Sequence, residues 1–118
     1  MEYLLLIKVD PEGEADDPND TSVDDIEAWV AEGERRGIRL RGDRLRPIEE
    51  TKVVRRRKGE LIVSDGPFVE SKEWLAGYDL LEAANLDEAI EYASRHPMAK
   101  EGHIEVRAIW PFDPGESA

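Results

Sequence analysis

A short charged run after an Asp-Gly-Pro turn is the part of this sequence best suited to chemistry. Asp65 begins the turn, one residue beyond the apolar run 61–63, and Glu70 and Lys72 follow within seven residues. Asp65 can act as a catalytic proton acceptor or ligand anchor, or it can accept hydrogen bonds from the backbone of its own turn. A general base near neutral pH needs a raised pKa, and therefore a dry pocket.

Glu70 and Lys72 also have two interpretations. In the first, they are an exposed ion pair in a loop. In the second, Lys72 binds an anionic group of a ligand and Glu70 orients it. Both interpretations stay open at the level of the sequence.

Two further ligand-binding candidates lie in apolar, strand-like segments. Tyr78 falls in the segment 75–83, where its hydroxyl could line a cavity. Arg107 falls in the alternating segment 103–110, on the polar side. Its guanidinium either joins an ion pair or holds a carboxylate through two hydrogen bonds. The two histidines, His96 and His103, lack metal-ligand spacing, so the sequence predicts no metal and no cofactor.

The length and composition of the chain limit which functions are possible. A chain of 118 residues can build one core, here predicted as a single domain over 1–112, and it holds no cysteine for thiolate chemistry or disulfides. The apolar run 3–9 has no basic flank before it, unlike a signal peptide. No apolar run approaches the roughly 20 residues that span a bilayer. We therefore expect a cytoplasmic protein without a membrane segment.

Charge is distributed unevenly along the chain. The formal net charge is −12, yet residues 35–58 hold eleven basic and three acidic residues. This basic block either pairs with acidic surface in the same or a second subunit, or steers an anionic ligand, or contacts nucleic acid. Direct nucleic-acid binding is the least favoured of the three, because an acidic protein repels phosphates.

The helices and strands that would position these residues can be predicted from the periodicity of apolar residues and from the residues that form turns and helix caps. Apolar runs predict a buried central strand over 3–9, and an acidic segment over 10–20 predicts a mobile loop. Helical spacing predicts a helix before Gly37, and Asn85 with Glu88 forms a capping box that begins a second helix. The inward stripe of that second helix is predicted to contain Leu86, Ala89, Ile90 and Ala93.

Strands complete the pattern. Residues 38–47 predict an irregular or short edge strand, and 51–57 with 60–64 predict a hairpin around Lys58-Gly59. Strands over 75–83 and 103–110 follow, and the tail 113–118 is expected to fray. The order predicts an α+β, ferredoxin-like sandwich with two helices on one face of a mainly antiparallel sheet. The other, polar face suits a homodimer with a cavity between two sheets.

Several motifs resemble one known family. They are Asp65-Gly66-Pro67-Phe68-Val69-Glu70-Ser71-Lys72-Glu73, Gly77-Tyr78, the opening Tyr3-Leu4-Leu5-Leu6-Ile7, the segment Gly42 to Pro47, Leu86-Asp87-Glu88-Ala89, and Gly102-His103-Ile104-Glu105-Val106-Arg107. Together they resemble the DGPF-type members of the YCII-related family from residue 1 to about 112. The resemblance implies a dimeric ferredoxin-like fold related to the dimeric α/β barrels. Relatives are proposed to use a His–Asp pair, and the resemblance places that aspartate at Asp65.

Three functional hypotheses follow. The first is a homodimer that binds a small, anionic ligand, either as a binding protein or as an enzyme that performs cofactor-free acid–base chemistry. The second, to which the family's gene neighbourhoods point, is a non-catalytic regulatory module acting with an extracytoplasmic-function sigma factor. The third is a structural subunit without a ligand. The resemblance determines the fold better than it determines the function.

Overall fold

A computed structural model describes residues 1–9, 26–66 and 74–112. The strands are β1 (Glu2–Val9), β2 (Arg39–Arg44), β3 (Lys52–Arg57), β4 (Glu60–Asp65), β5 (Trp74–Glu82) and β6 (Gly102–Ala108). The helices are α1 (Ile26–Arg35), α2 (Leu86–Ser94) and the short α3 (Met98–Glu101), and a 3-10 turn covers Ile48–Glu50. The loop predicted over 10–20 and the tail predicted over 113–118 lie outside the described residues.

Four strands form one antiparallel sheet in the order β2-β5-β1-β6. Helix α1 connects β1 to β2, and helices α2 and α3 connect β5 to β6, so two β-α-β units share the sheet. This arrangement confirms the ferredoxin-like α+β fold. It also confirms β1 as the central strand and β2 as an edge strand.

The hairpin β3–β4 is inserted between β2 and β5 and forms a separate two-stranded sheet. Its turn is Lys58-Gly59, and both residues have positive φ, at 51° and 80°. Two such residues give the backbone twist that short antiparallel connections prefer. The predicted hairpin is therefore confirmed, but it lies outside the main sheet.

The core lies between the helices and one face of the sheet. Trp29 of α1 and Tyr92 of α2 stack with ring centroids 4.2 Å apart. The Trp29 indole N–H donates to the Tyr92 carbonyl at 2.9 Å, and the Tyr92 hydroxyl donates to the Trp29 carbonyl at 2.6 Å. Both side chains are fully buried with Leu5 and Leu81. Two reciprocal hydrogen bonds and one ring stack thus join the two crossover helices.

Helix α2 differs from its predicted stripe. Its N-cap is confirmed, since Asn85 Oδ1 accepts from the Glu88 N–H at 2.9 Å, whereas the Glu88 carboxylate accepts from the Ala84 N–H, one residue before the cap. Ala89 and Ala93 face the core as expected, but Leu86 and Ile90 are each 47% exposed. Tyr92 takes the inward position because its ring stacks on Trp29.

The opposite face of the sheet carries the predicted polar alternation. Tyr78 pairs with Leu6 of β1, and Leu6 pairs with Glu105 of β6. One row along, Arg107 pairs with Leu4. Because paired residues share a face, these side chains lie on the face away from the core, which we call the open face. None of the described helices has the length and apolar character needed to cross a bilayer.

Candidate functional site

A cleft of about 660 Å³ lies between α1, α3 and the strands β2 and β5. Ile7, Val30 and Met98 form an apolar wall, and Arg39, Asp79 and His96 contribute polar groups. A concave, largely apolar cavity of this size with a few convergent polar groups is typical of small-molecule sites. The described residues contain no group of three or more acidic or histidine side chains arranged to hold a metal ion.

A buried ion pair forms the polar floor of the cleft. Arg39 Nε donates to Asp79 Oδ1 at 2.8 Å, and both side chains are almost inaccessible to solvent. A second Arg39 nitrogen donates to the Gly42 carbonyl at 3.1 Å. Burial raises the pKa of Asp79, although the Arg39 guanidinium opposes that shift. Asp79 therefore has the raised pKa that a carboxyl group needs for proton exchange nearer neutral pH.

Gly42 makes this ion pair possible. A Cβ atom at Gly42 would lie 2.1 Å from Asp79 Oδ1 and 2.8 Å from an Arg39 nitrogen. Both distances are shorter than real Cβ contacts allow. The glycine in β2 is thus needed for the close approach of the two charged groups.

His96 contributes a neutral imidazole to the same cleft. Its Nδ1 accepts a hydrogen bond from the Met98 backbone N–H at 3.0 Å. Burial, with a smaller contribution from the Arg39 charge, lowers the pKa of His96 to about 4. Because Nδ1 is an acceptor, the ring proton is on Nε2, which can donate to a ligand. The edge of the imidazole ring also packs against Trp29.

Arg44 also lines the cleft, since it pairs with Gly77, which in turn pairs with the core residue Ile7. Asp43 and Tyr78 border the cleft through their positions on β2 and β5, but they pair with each other on the open face. The Tyr78 hydroxyl donates to Asp43 Oδ2 at a long 3.4 Å. Within the described part of the chain, Arg44 has no ion-pair partner. Its guanidinium is therefore available to an anionic group.

Asp65 lies at the base of the hairpin, and its side chain is 85% exposed. Its carboxylate accepts a hydrogen bond from the Lys52 ammonium, and this bond together with the Lys52 charge lowers the pKa of Asp65. In a single chain, Asp65 is thus exposed and its pKa is lowered, whereas Asp79 is buried and its pKa is raised. The catalytic role of Asp65 stays a prediction, and it requires a second surface to cover this carboxylate.

The other sequence candidates are separated in the structure. Tyr78 belongs to the part of β5 that borders the cleft, but its side chain lies on the open face, as does that of Arg107, which is exposed on β6, two strands from β5. Glu70 and Lys72 lie outside the described residues. The structure therefore brings neither described candidate side chain into the cleft, and the ligand-binding roles of all four stay predictions.

Sequence reasoning missed the ion pair and gave His96 no ligand role. Asp79 did carry a signal, since in the strand-like run 75–83 it alternates with the same parity as the apolar residues Leu81 and Ala83, whereas Glu82 has the opposite parity. Arg39 was not distinguishable from the other members of the basic block. His96 carries no spacing signal, because its place in the cleft depends on the packing of α2 and α3.

Comparison with known proteins adds the family. The YCII-related domain family matches residues 1–113, so the chain belongs to that family. It is also similar to an uncharacterised protein of Rhizobium meliloti (strain 1021), with 43% identity over 75 residues, which is 62% of this chain and 60% of that protein. The match thus spans less than two thirds of the relative's length.

The lowered pKa of His96 predicts a pH-dependent stability. Unfolded His96 titrates near 6.5 and folded His96 near 4, so the unfolded state binds the extra proton between these values. The free energy of unfolding should therefore fall by about 2 kcal/mol from pH 7 to pH 5 through this group alone. Urea unfolding of the wild type and His96→Gln at both pH values measures the difference.

His103→Gln is the matched control, because His103 is partly exposed on β6. This control should keep the wild-type pH dependence, whereas His96→Gln should lose about 2 kcal/mol of it. Equal pH dependence in the wild type and His96→Gln would contradict the assignment.

Proposed function

We propose that this chain is a small-molecule-binding protein that acts as a homodimer and takes its ligand in the cleft over Arg39 and Asp79. The single observation that supports this is the convergence of a buried ion pair and a buried neutral histidine in one cleft of about 660 Å³. Buried polar groups are costly unless they are paired, and they cluster at functional sites.

The ligand class follows from the groups that line the cleft. Arg44, which has no ion-pair partner among the described residues, offers its guanidinium to an anionic group, and His96 Nε2 offers a neutral N–H donor. The apolar wall suits a compact hydrocarbon or aromatic body. The ligand is therefore a small molecule with an apolar body and one anionic group.

Cofactor-free acid–base chemistry is part of the proposal. Asp79 has a raised pKa, and the Arg39 guanidinium beside it stabilises a carboxylate when the proton leaves. Neutral His96 can donate a hydrogen bond to a developing negative charge without carrying charge itself. These two side chains would take the place of the His–Asp pair that the family resemblance implies.

The homodimer would form through the open faces of two sheets. Tyr78 and Arg107 lie on that face, and a second copy is what could cover Asp65. Glu70 and Lys72 stay predicted ligand-binding residues of this dimer. We also propose that this homodimer is cytoplasmic. The alternative function, a regulatory module that acts with a sigma factor, stays a prediction.

Arg44 provides a direct test of the cleft. We expect 4-hydroxybenzoate, used as a probe with one carboxylate and one apolar ring, to shift the backbone amide signals of Gly42 and Gly77 in a nuclear magnetic resonance titration. Arg44→Gln should weaken binding about tenfold or more, because a charge-assisted hydrogen bond is lost.

Arg41→Gln is the control for this titration, because Arg41 pairs with Leu80 on the open face of the same strand. It should bind the probe like the wild type. Equal weakening by both variants, or signal shifts confined to residues outside the cleft, would contradict the proposed site.

Asp65 is tested with the same probe. Asp65→Asn should leave the unfolding free energy and the self-association nearly unchanged, since the carboxylate is exposed in a single chain and asparagine keeps its shape. If the second copy brings Asp65 to the bound probe, the variant should weaken binding several-fold, because a charged acceptor for the probe's hydroxyl is lost. The control is Glu60→Gln at the far end of the hairpin, and unchanged binding by Asp65→Asn would remove Asp65 from the site.

A further inference from the structure

The hairpin β3–β4, residues 52–65, carries apolar side chains that its own chain leaves exposed. We call this hairpin the arm. Val54 and Val63 pair across it and are 66% and 56% exposed, and Leu61 on the same face is similarly exposed. An isolated two-stranded hairpin is marginally stable in water. The arm therefore needs a covering surface.

The arm is also the most basic element of the chain. Arg55, Arg56, Arg57 and Lys58 occupy consecutive positions at its tip. Arg56 lies on the same face as Val54, Leu61 and Val63, because it pairs with Leu61. Two arms packed through these faces would bring their arginines together, so the covering surface should be acidic as well as apolar.

A surface of this kind lies where β1 begins. Trp110 and Phe112, which follow β6, are 88% and 78% exposed. Trp110 lines a groove with Ile109, Pro111, Glu2 and Glu82. Glu2 and Glu82 pair directly across β1 and β5, on the open face. Like charges opposite each other are unfavourable, and of these two carboxylates the N-terminal ammonium contacts that of Glu82. We call this surface the groove.

The arm and the groove stand at opposite ends of the four-stranded sheet. The arm leaves the end of β2 and returns to the start of β5, which pairs with Val9 at the end of β1. The groove surrounds Glu2 at the start of β1. Two sheets can stack through their open faces with their β1 strands antiparallel. In that arrangement the arm of one copy lies beside the groove of the other.

We infer that the arm of each copy docks in the groove of a second copy, with Arg56 facing the Glu2–Glu82 pair and Trp110 covering Val54 and Val63. The contact is made twice about one two-fold axis, so the assembly closes as a dimer. This inference rests on the homodimer of the proposed function and adds the surfaces that hold it.

A second copy fits the arm better than nucleic acid does. Phosphate contacts require the basic tip but not three exposed aliphatic side chains on the same face. The groove supplies both an aromatic surface and two carboxylates, and an arginine can also stack on an indole ring. Every copy carries both halves of this complementary pair.

Because the chain has no cysteine, a disulfide can be introduced to test the contact. Val63→Cys and Pro111→Cys are made separately, one with a mass tag, and are mixed under mild oxidation. The expected result is a mixed disulfide dimer several-fold above the yield from Val63→Cys with Ile90→Cys. Ile90 is an exposed residue of α2, one of the helices that cover the other face of the sheet.

The affinity of the contact is tested by sedimentation. Arg56→Glu should weaken self-association about tenfold or more, as expected for a central charged residue of an interface. Arg46→Glu is the matched control, because Arg46 is exposed outside the arm and bonds Glu50. It should leave self-association unchanged.

The possible results separate the two proposals. If a dimer forms but gives no mixed disulfide, or if it survives Arg56→Glu, the arm contact is wrong and the proposed homodimer still stands. A monomeric wild type overturns both and leaves the cleft. In a variant that carries both cysteines, a two-fold contact links protein chains only in pairs. Disulfide-linked assemblies of more than two chains in that variant would overturn the two-fold arrangement. Arm-dependent binding of duplex DNA by a monomeric wild type overturns the inference in favour of nucleic acid.

Discussion

The buried ion pair between Arg39 and Asp79 is the interaction on which the cleft side of this structure depends. It connects the edge strand β2 to β5, and it places two charges where the fold otherwise buries apolar side chains. Removing Arg39 leaves Asp79 unpaired in a dry environment, and removing Asp79 leaves the buried Arg39 guanidinium with only a 3.8 Å contact to the exposed Glu34 carboxylate. The close approach of the pair requires a glycine at position 42. The same interaction therefore holds the strand and gives the cleft its polar floor.

Two aspartates show how environment separates similar side chains. Asp65 and Asp79 each have one basic partner, Lys52 and Arg39. Exposure lets Lys52 stabilise the charged form of Asp65, whereas burial at Asp79 outweighs the effect of Arg39 on the pKa. The carboxyl group suited to proton exchange in a single chain is therefore the one on the helix-covered face. The open face acquires a dry environment only if a second copy covers it.

Much of the fold was predictable because its signals are local. The alternation over 103–110 predicted which side chains of β6 share a face, and Lys58-Gly59 and Asn85 predicted a turn and a helix cap that the structure contains. The orientation of α2 was predicted wrongly at Leu86 and Ile90, because a tyrosine can displace aliphatic residues from a core when an aromatic partner is present. The Arg39–Asp79 pair joins residues 40 positions apart, and it depends on the register of two strands. Nothing local in a run of arginines indicates which one is buried.

The central claim is that Arg39 and Asp79 act as one unit, and a double-mutant cycle tests it most directly. Urea unfolding of Arg39→Met, Asp79→Leu and the double variant gives the three free energies. We predict that each single variant loses about 3–5 kcal/mol and that the double variant is at least as stable as either, because no buried charge is left alone. Losses that simply add would show that the two groups are independent, and they would contradict this account.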